Sequence, residues 1–235
     1  MTPTLCHIIV AAGSGRRFGA PLPKQFLDLK GRPVLMHTIA ALRRATPGAE
    51  IILVLNPDFE SLWREQCETH GFVSPPIVAG GRTRCESVRN ALFASVTPQA
   101  DIISVHDGAR PLPSSAMINA VVDAAMTDSF AGALPGFTPT DSLRMLTGDG
   151  RSQSVDRSRF RAVQTPQAFP GDRLREAYAA ITDESGLTDD ASVVEAHTGL
   201  VPVIVEGDPT NIKITHSSDL ALAAMLIDNL NIPLP

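Results

Sequence analysis

The residues with the clearest chemical potential lie in the first 25 positions, where glycines are followed by cations. Residues 6–10 (CHIIV) have the length and branching of a buried strand, and they lead directly into residues 11–15 (AAGSG). Glycines let consecutive backbone N–H groups approach an anion closely. Arg16, Arg17 and Lys24 would add full positive charge around that anion. The pattern therefore predicts a polyphosphate site, and hence a bound nucleotide.

Two better-known glycine loops do not fit this sequence. The dinucleotide fingerprint needs a third glycine for close helix packing, and that position holds Phe18. The second predicted strand, near residues 50–55, also ends in Asn56 rather than in an acidic residue for a ribose. The phosphate loop of nucleoside triphosphatases needs Ser or Thr after its lysine, whereas Gln25 follows Lys24. A nucleotide-dependent oxidoreductase is therefore disfavoured.

Length and composition fit one large α/β domain spanning residues 1–235 better than they fit two small domains. Hydrophobic residues make up 43% of the chain and charged residues 19%, as in ordinary globular enzymes. A net charge of −5 argues against nucleic-acid binding, so any phosphate site must be a local basic pocket. The three cysteines lack paired or metal-like spacing, which predicts reduced thiols and a cytoplasmic protein. We expect no signal segment and no membrane span, because the apolar runs have only strand length.

Strand and helix patterns alternate along the chain. Residues 51–55 and 102–105 are apolar runs of the buried-strand type. Residues 33–45, 83–94 and 219–230 carry helical patterns. Such alternation predicts a mostly parallel sheet covered on both faces, with binding loops at the carboxyl ends of its strands.

A polar stretch at about residues 138–160 interrupts this alternation. The turn residues 148–150 (GDG) separate residues 143–146 from residues 154–156, which predicts a protruding hairpin. An isolated hairpin cannot bury itself, so we interpret it as an arm that contacts a partner subunit. The alternative is a mobile surface loop of no functional consequence.

Two further clusters have possible chemistry, each with a simpler alternative. Gly80 and Gly81 precede a predicted helix containing Ser87, which suggests a second glycine loop or merely a tight turn. Asp107 follows a predicted strand, where a carboxylate could hold Mg²⁺ between phosphate oxygens or form a structural ion pair with Arg110. We interpret His106 as a hydrogen-bonded packing residue, because no second histidine lies at ligand spacing.

Residues 11–17 (AAGSGRR) and 23–25 (PKQ) resemble the signature loop of the sugar-phosphate cytidylyltransferases. Further motifs narrow the resemblance to the family members that act on methylerythritol phosphate in the non-mevalonate isoprenoid pathway. These motifs are residues 106–111 (HDGARP), 155–157 (VDR), 164–167 (QTPQ), 188–192 (TDDAS) and 211–213 (NIK). The resemblance runs from about Cys6 to the C-terminal helix.

This resemblance implies a Rossmann-like nucleotidyltransferase fold and a homodimer whose arms reach into the neighbouring active sites. The implied reaction transfers CMP from CTP to methylerythritol phosphate with the help of Mg²⁺. The implied nucleotide-binding residues are Ala11, Ala12, Gly13, Gly15, Gly81 and Ser87. The implied catalytic cations are Arg17 and Lys24. The implied acceptor-binding residues are Asp107, Arg110, Ser142, Thr165, Thr188, Lys213 and, from the partner's arm, Arg157, with Asp107 also as the metal ligand.

The sequence departs from the family pattern at two notable places, and it leaves two other functions open. Arg82 follows the second glycine loop, where the resemblance leads us to expect an acidic residue, and Ser142 stands where the arm often has threonine. A ribitol 5-phosphate cytidylyltransferase would share the CTP half of the site and differ in the acceptor pocket. A non-catalytic nucleotide-binding protein on the same fold would have less need of Arg17, Lys24 and Asp107 together.

Overall fold

The computed structural model describes residues 3–13, 22–127 and 131–235. The strands are β1 (Leu5–Ala11), β2 (Asp28–Leu29), β3 (Arg32–Pro33), β4 (Glu50–Leu55), β5 (Ile77–Ala79), β6 (Ile102–Asp107), β7 (Ala133–Phe137), β8 (Arg144–Leu146), β9 (Ser152–Ser154), β10 (Ala162–Val163), β11 (Gln167–Pro170) and β12 (Val203–Glu206). The α-helices are α1 (Val34–Ala45), α2 (Glu60–His70), α3 (Arg84–Leu92), α4 (Ser115–Ala125), α5 (Gly171–Ala180), α6 (Asp190–Thr198) and α7 (Ser217–Asn229).

A mostly parallel sheet forms the centre of the molecule. β1 lies between β4 and β6 and is parallel to both, and β5 extends the sheet beyond β4 in the same direction. β11 is antiparallel to β6 and to β7, whereas β12 is parallel to β7. The short β10 also pairs antiparallel with β7. The predicted α/β architecture with a mostly parallel sheet is therefore confirmed.

The central strands are buried on both faces because helices cover both. Successive side chains of a strand point to opposite faces. Ile8 of β1 accordingly packs into a core with α3, α5 and α6, whereas its neighbour Ile9 packs into a second core with α1 and α2. All six residues of β6 are buried. Continuous apolar strands are the expected sequence signature of such a three-layer arrangement.

The predicted helices occur within a few residues of their expected limits. Thr83 is the N-cap of α3, where its side chain accepts a 2.9 Å hydrogen bond from the backbone N–H of Glu86. Pro33 precedes the first residue of α1, consistent with the preference of proline for helix starts. α7 begins two residues before the predicted start. None of the helices in the described ranges is both long enough and apolar enough to cross a bilayer.

The polar stretch at about residues 138–160 contains the predicted hairpin. β8 and β9 pair antiparallel, and the turn between them places Gly148 and Gly150 at φ values of 78° and 80°. Glycine adopts this left-handed region without a Cβ penalty. Leu146 is 81% exposed and Met145 54% exposed, so the hairpin presents apolar side chains to its surroundings. The hairpin itself is confirmed, and its partner stays a prediction.

Buried histidines stabilise the core in their neutral form. His7 Nε2 lies 2.8 Å from the hydroxyl of Thr46, which itself donates to the carbonyl of Leu42, so His7 Nε2–H must donate to Thr46. His7 Nδ1 then accepts from Ser104, at 2.5 Å. Burial lowers the pKa of His7 to about 3 and that of His106 to about 4, from 6.5. Burial also lowers the pKa of His37.

The free energy of unfolding should therefore fall as the pH is lowered from 6.5 to about 5. In this window the histidines of the unfolded chain become protonated, whereas His7 and His106 of the folded chain stay neutral. At pH 5 each of the two should therefore have lowered the free energy of unfolding by roughly 2 kcal/mol. Urea unfolding across this pH range measures the slope. A free energy of unfolding that stays flat down to pH 5 would contradict the account.

Candidate active site

A cavity of about 550 Å³ opens at the carboxyl ends of β1, β4 and β6. This is the edge at which parallel α/β sheets present their ligands. Many of the residues predicted from the motifs line it, namely Ala11, Ala12, Gly13, Lys24, Gly81, Ser87, Asp107 and Lys213. Gly15, Arg16 and Arg17, which were predicted to belong to the same loop, lie outside the described residues.

The first glycine loop is fixed by Gln25, a residue for which the sequence motifs predict no separate role. The buried side chain of Gln25 donates from Nε2 to the carbonyl oxygens of Ala11, at 2.7 Å, and of Gly13, at 3.1 Å. Gln25 belongs to a short 3-10 helix, Lys24–Phe26, so the same turn carries Lys24 to the pocket. Within the PKQ motif, Gln25 therefore holds the loop in place and Lys24 provides a positive charge in the pocket.

The second glycine loop is packed directly against the first. A Cβ on Gly80 would lie 2.2 Å from the Cβ of Ala12, so only glycine permits this approach. The backbone N–H of Gly81 donates to the hydroxyl of Ser87, which donates in turn to the carbonyl of Thr83. The loop therefore starts α3 and lines the pocket, and the hydroxyl of Ser87 is already used in closing the loop.

A cluster of charges surrounds Asp107 at the end of β6. Lys213 Nζ lies 2.7 Å from Asp107 Oδ2, Arg110 Nε lies 3.6 Å from the same oxygen, and Arg84 Nε lies 3.5 Å from Oδ1. The Asp107 side chain is only 11% exposed. Burial alone would raise its pKa, but Arg84, Lys213 and Arg110 together lower the pKa well below its usual range. The proposed ion pair with Arg110 exists, and two further cations share the carboxylate.

His106 and Thr165 support Asp107 from the protein interior. His106 Nε2 lies 3.1 Å from the carbonyl oxygen of Arg110, which can only accept, so the neutral imidazole carries its proton on Nε2. His106 Nδ1 therefore accepts from the hydroxyl of Thr165, 2.9 Å away, and that hydroxyl in turn accepts the backbone N–H of Asp107 at 3.0 Å. The interpretation of His106 as a hydrogen-bonded packing residue is confirmed. Thr165 lies on the interior side of Asp107, and its single hydroxyl hydrogen is used by His106.

The NIK segment is tied to the same strand end. The side chain of Asn211 donates to the carbonyl of Thr165 at 2.9 Å, and Arg110 donates to the carbonyl of Asn211 at 2.8 Å. The backbone N–H of Ile214 donates to the carbonyl of Ala109 at 2.9 Å. These bonds hold the segment so that Lys213 reaches Asp107 rather than pointing to solvent.

Three of the predicted acceptor residues lie away from this pocket in the chain. Ser142 and Arg157 are exposed on the arm region, where Arg157 donates to the carbonyl of Thr140. Thr188 is exposed at the start of the TDDAS motif, and its backbone N–H donates to Ser192. Asp208 accepts from the backbone N–H and the hydroxyl of Thr210 in a turn.

The described lining carries four cationic side chains and one carboxylate. The cations are Lys24, Arg82, Arg84 and Lys213, and the carboxylate is Asp107. A basic pocket in a chain of net charge −5 is what the composition required of a phosphate site. Two backbone loops beside fixed positive charge suit a polyphosphate, and the cluster around Asp107 leaves a net positive region for a second anion.

Comparison with known proteins agrees with this geometry. The profile of the 2-C-methyl-D-erythritol 4-phosphate cytidylyltransferase (IspD) family matches residues 5–229. A protein named 2-C-methyl-D-erythritol 4-phosphate cytidylyltransferase from Porphyromonas gingivalis is 47% identical over 223 residues, covering 94% of this chain and 96% of that protein.

Solved structures give the same result at the level of the fold. The enzyme of that name from Thermus thermophilus has a TM-score of 0.72 and 35% identity, covering 97% of this chain and 100% of that one. The 4-diphosphocytidyl-2C-methyl-D-erythritol synthase from Anaerococcus prevotii has a TM-score of 0.80 and 27% identity, covering 96% of each chain. The glycine loops, the Asp107 cluster and these matches together lead to one conclusion: the chain belongs to the 2-C-methyl-D-erythritol 4-phosphate cytidylyltransferase family.

Proposed function

We propose that this chain transfers CMP from CTP to 2-C-methyl-D-erythritol 4-phosphate, giving 4-diphosphocytidyl-2-C-methyl-D-erythritol and pyrophosphate in non-mevalonate isoprenoid biosynthesis. As a member of its family the chain is a nucleotidyltransferase. The observation that carries the proposal is the pocket in which two touching glycine loops face the charge cluster around Asp107. One pocket thus offers a place for a nucleotide and a place for a second phosphate.

The nucleotide half of the site would consist of the two glycine loops. Ala11, Ala12, Gly13 and Gly81 line the pocket with backbone, which suits the phosphates and ribose of CTP. Ser87 would act mainly by shaping the second loop, since its hydroxyl is engaged there. Gly15 is assigned to this half by the family motif alone.

Arg17 and Lys24 would be the catalytic cations. Lys24 lines the pocket, as Gly13 does, and it directly precedes Gln25, which anchors the loop. Arg17 is assigned by the family motif. Fixed positive charge at this place would hold the α- and β-phosphates of CTP and stabilise the negative charge that develops on them.

The acceptor half would be built around Asp107, with Arg110 and Lys213 as its cations. Their positions close to one buried carboxylate keep both cations in place before the acceptor phosphate arrives. Thr165 would contribute from behind by fixing the backbone of Asp107. Ser142 and Thr188 would complete the proposed acceptor set, together with Arg157 from the arm of the neighbouring chain.

The chemistry then follows from charge. A phosphate monoester has its second pKa near about 6, so the acceptor is mostly dianionic at neutral pH and needs no general base. One of its oxygens would attack the α-phosphorus of CTP, and the bond from that phosphorus to the oxygen bridging to the β-phosphate would break. Pyrophosphate leaves with the electron pair. The residues of this chain contribute by bringing two anions into line and neutralising their repulsion.

A magnesium ion fits the donor set in a limited way. Mg²⁺ is commonly held by one or two carboxylates together with substrate phosphates and water. Asp107 is the one carboxylate of the described lining, and its lowered pKa keeps it ionised. Within the described ranges no group of three or more acidic, histidine or cysteine side chains is placed to hold a metal. Lys213, Arg110 and Arg84 already share this carboxylate, so the phosphates of CTP would provide most of the ligands of the ion, with Asp107 as its protein ligand. The ion would supply further neutralisation of the phosphate charge.

The arm supports a homodimer in which each site is completed by the other chain. Arg157 is exposed at the base of the hairpin and does not line the pocket of its own chain. The hairpin exposes Met145 and Leu146, which favours packing against a protein surface. Residues 1–235 would then act as one cytidylyltransferase domain with a dimerisation arm at about 138–160.

Pyrophosphate release tests the proposed substrate directly. With CTP and Mg²⁺, we expect a strong preference for methylerythritol 4-phosphate over ribitol 5-phosphate at equal concentrations. A preference for ribitol phosphate would contradict the proposed acceptor and would indicate a ribitol 5-phosphate cytidylyltransferase. Silence with both acceptors would contradict a catalytic role and leave a nucleotide-binding protein.

Replacement of Lys24 by Ala should lower kcat by about 10²–10³, because a preorganised donor to developing charge contributes roughly 3–4 kcal/mol. The affinity for CTP should change less, since the charge that Lys24 stabilises grows in the transition state. Steady-state kinetics and CTP titration separate the two effects. Lys30→Gln, which removes an exposed cation paired with Asp228, is the matched control and should behave as wild type. A near-normal kcat for the Lys24 variant would refute its role.

Mixing two inactive variants tests the shared site. Lys24→Ala and Arg157→Ala homodimers should each be strongly impaired, and exchange of subunits should create heterodimers with one intact site. At equal amounts about one quarter of the sites would be intact, because half of the dimers are mixed and each has one good site. Activity that stays at the level of the separate variants after exchange would oppose the assignment of Arg157 to the partner's site.

A further inference from the structure

Asp190 and Tyr178 are buried residues that the mechanism above does not use. Asp190 is completely buried, and its two carboxylate oxygens each accept a hydrogen bond from the guanidinium of Arg84, at 3.0 and 2.7 Å. The phenol of Tyr178 donates a third bond to the same carboxylate, at 2.6 Å. A bidentate pair with a further donor fixes a guanidinium in both position and plane.

The Nε side of the Arg84 guanidinium faces the pocket. Arg84 lines the pocket, and its Nε lies 3.5 Å from Asp107 Oδ1. One guanidinium therefore links the interior carboxylate of Asp190 with the pocket carboxylate of Asp107. Burial by itself would lower the pKa of Arg84, but the nearby charge of Asp190 raises it overall, so the link stays charged.

These contacts connect parts of the chain that are far apart in sequence. Arg84 is the first residue of α3 and directly follows the second glycine loop. Asp190 is the first residue of α6, within the TDDAS motif, and Tyr178 belongs to α5. Because α5 and α6 pack on each other, the carboxylate and the phenol have one fixed relation.

We propose that Asp190 and Tyr178 are positioning residues for Arg84, and that Arg84 in turn sets the place of the Asp107 carboxylate relative to the second glycine loop. The inference rests on the proposed function, since it assigns to this link the task of keeping the acceptor site and the nucleotide site at a constant separation. It also gives the TDDAS motif a role in the site that requires no contact with substrate. The position of the Arg84 guanidinium would then affect the reaction as much as its charge does.

The neighbouring aspartates of the motif provide a matched pair of variants. Asp190→Asn keeps the shape of the side chain but turns one acceptor towards Arg84 into a donor, so the bidentate pair is lost. Asp189→Asn changes a carboxylate that caps α6 and accepts from Gln167 without touching Arg84. Asparagine is itself a good N-cap, so this control retains the helix start.

Kinetics should separate the two variants. For Asp190→Asn, kcat/KM for the acceptor should fall about 10- to 100-fold, because a small displacement of a reacting group costs this much. The dissociation constant of CTP measured without acceptor should change less than about threefold, since the backbone of the glycine loops is retained. Asp189→Asn should resemble wild type in both. Equal behaviour of the two variants would overturn the proposal.

An NMR measurement on the resting protein tests the positioning independently of turnover. The guanidinium signals of Arg84, assigned by their loss in Arg84→Lys, should be resolved in wild type and in Asp189→Asn and should coalesce in Asp190→Asn. Resolved signals in Asp190→Asn would overturn the proposal. If the wild-type protein fails to transfer CMP, the proposed function falls, whereas the NMR comparison still decides whether Asp190 fixes Arg84.

Discussion

The rest of the site depends on one constraint, which is the charge balance around a nearly buried carboxylate. Asp107 can remain ionised at the end of β6 only because Arg84, Arg110 and Lys213 approach it. Each cation arrives from a different part of the chain. The start of α3, the loop after β6 and the NIK segment must therefore meet at this point. The same arrangement leaves more positive than negative charge, so the structure that satisfies a buried acid also attracts phosphate.

The central part of the fold could be predicted because its sequence signals are local. β1, β4 and β6 each contain a short run of apolar residues, and their burial on both faces leaves few alternatives. The outer part of the sheet gave no comparable signal. β7 contains Pro135 and Gly136, β12 has exposed residues, and the antiparallel direction of β11 is decided by pairing with β6 and β7. Strand direction is a tertiary property that periodicity does not encode.

The motifs predicted which loops would meet, and they predicted less about what each side chain does there. Lys213 reaches the pocket as expected, whereas the hydroxyl of Thr165 is used inside the protein by the backbone of Asp107 and by His106. The role of Gln25 could have been predicted, because a polar residue next to the apolar residues Phe26 and Leu27 must find hydrogen-bond partners when it is buried. The pairing of Arg84 with Asp190 could not, because 106 positions separate two residues of common types. The contacts of the arm residues, such as Arg157, are proposed to lie on a second chain, so the structure of one chain does not test them.

The most direct measurement of the central claim is ³¹P NMR of the products formed from Mg–CTP and methylerythritol phosphate labelled with ¹⁸O in its phosphate. If the two phosphates are brought together as proposed, the acceptor oxygen attacks the α-phosphorus. The label must then occupy the oxygen that bridges the two phosphorus atoms of the product, and pyrophosphate must be unlabelled. An unlabelled bridging oxygen would mean that the acceptor phosphate is not the nucleophile and would contradict the account.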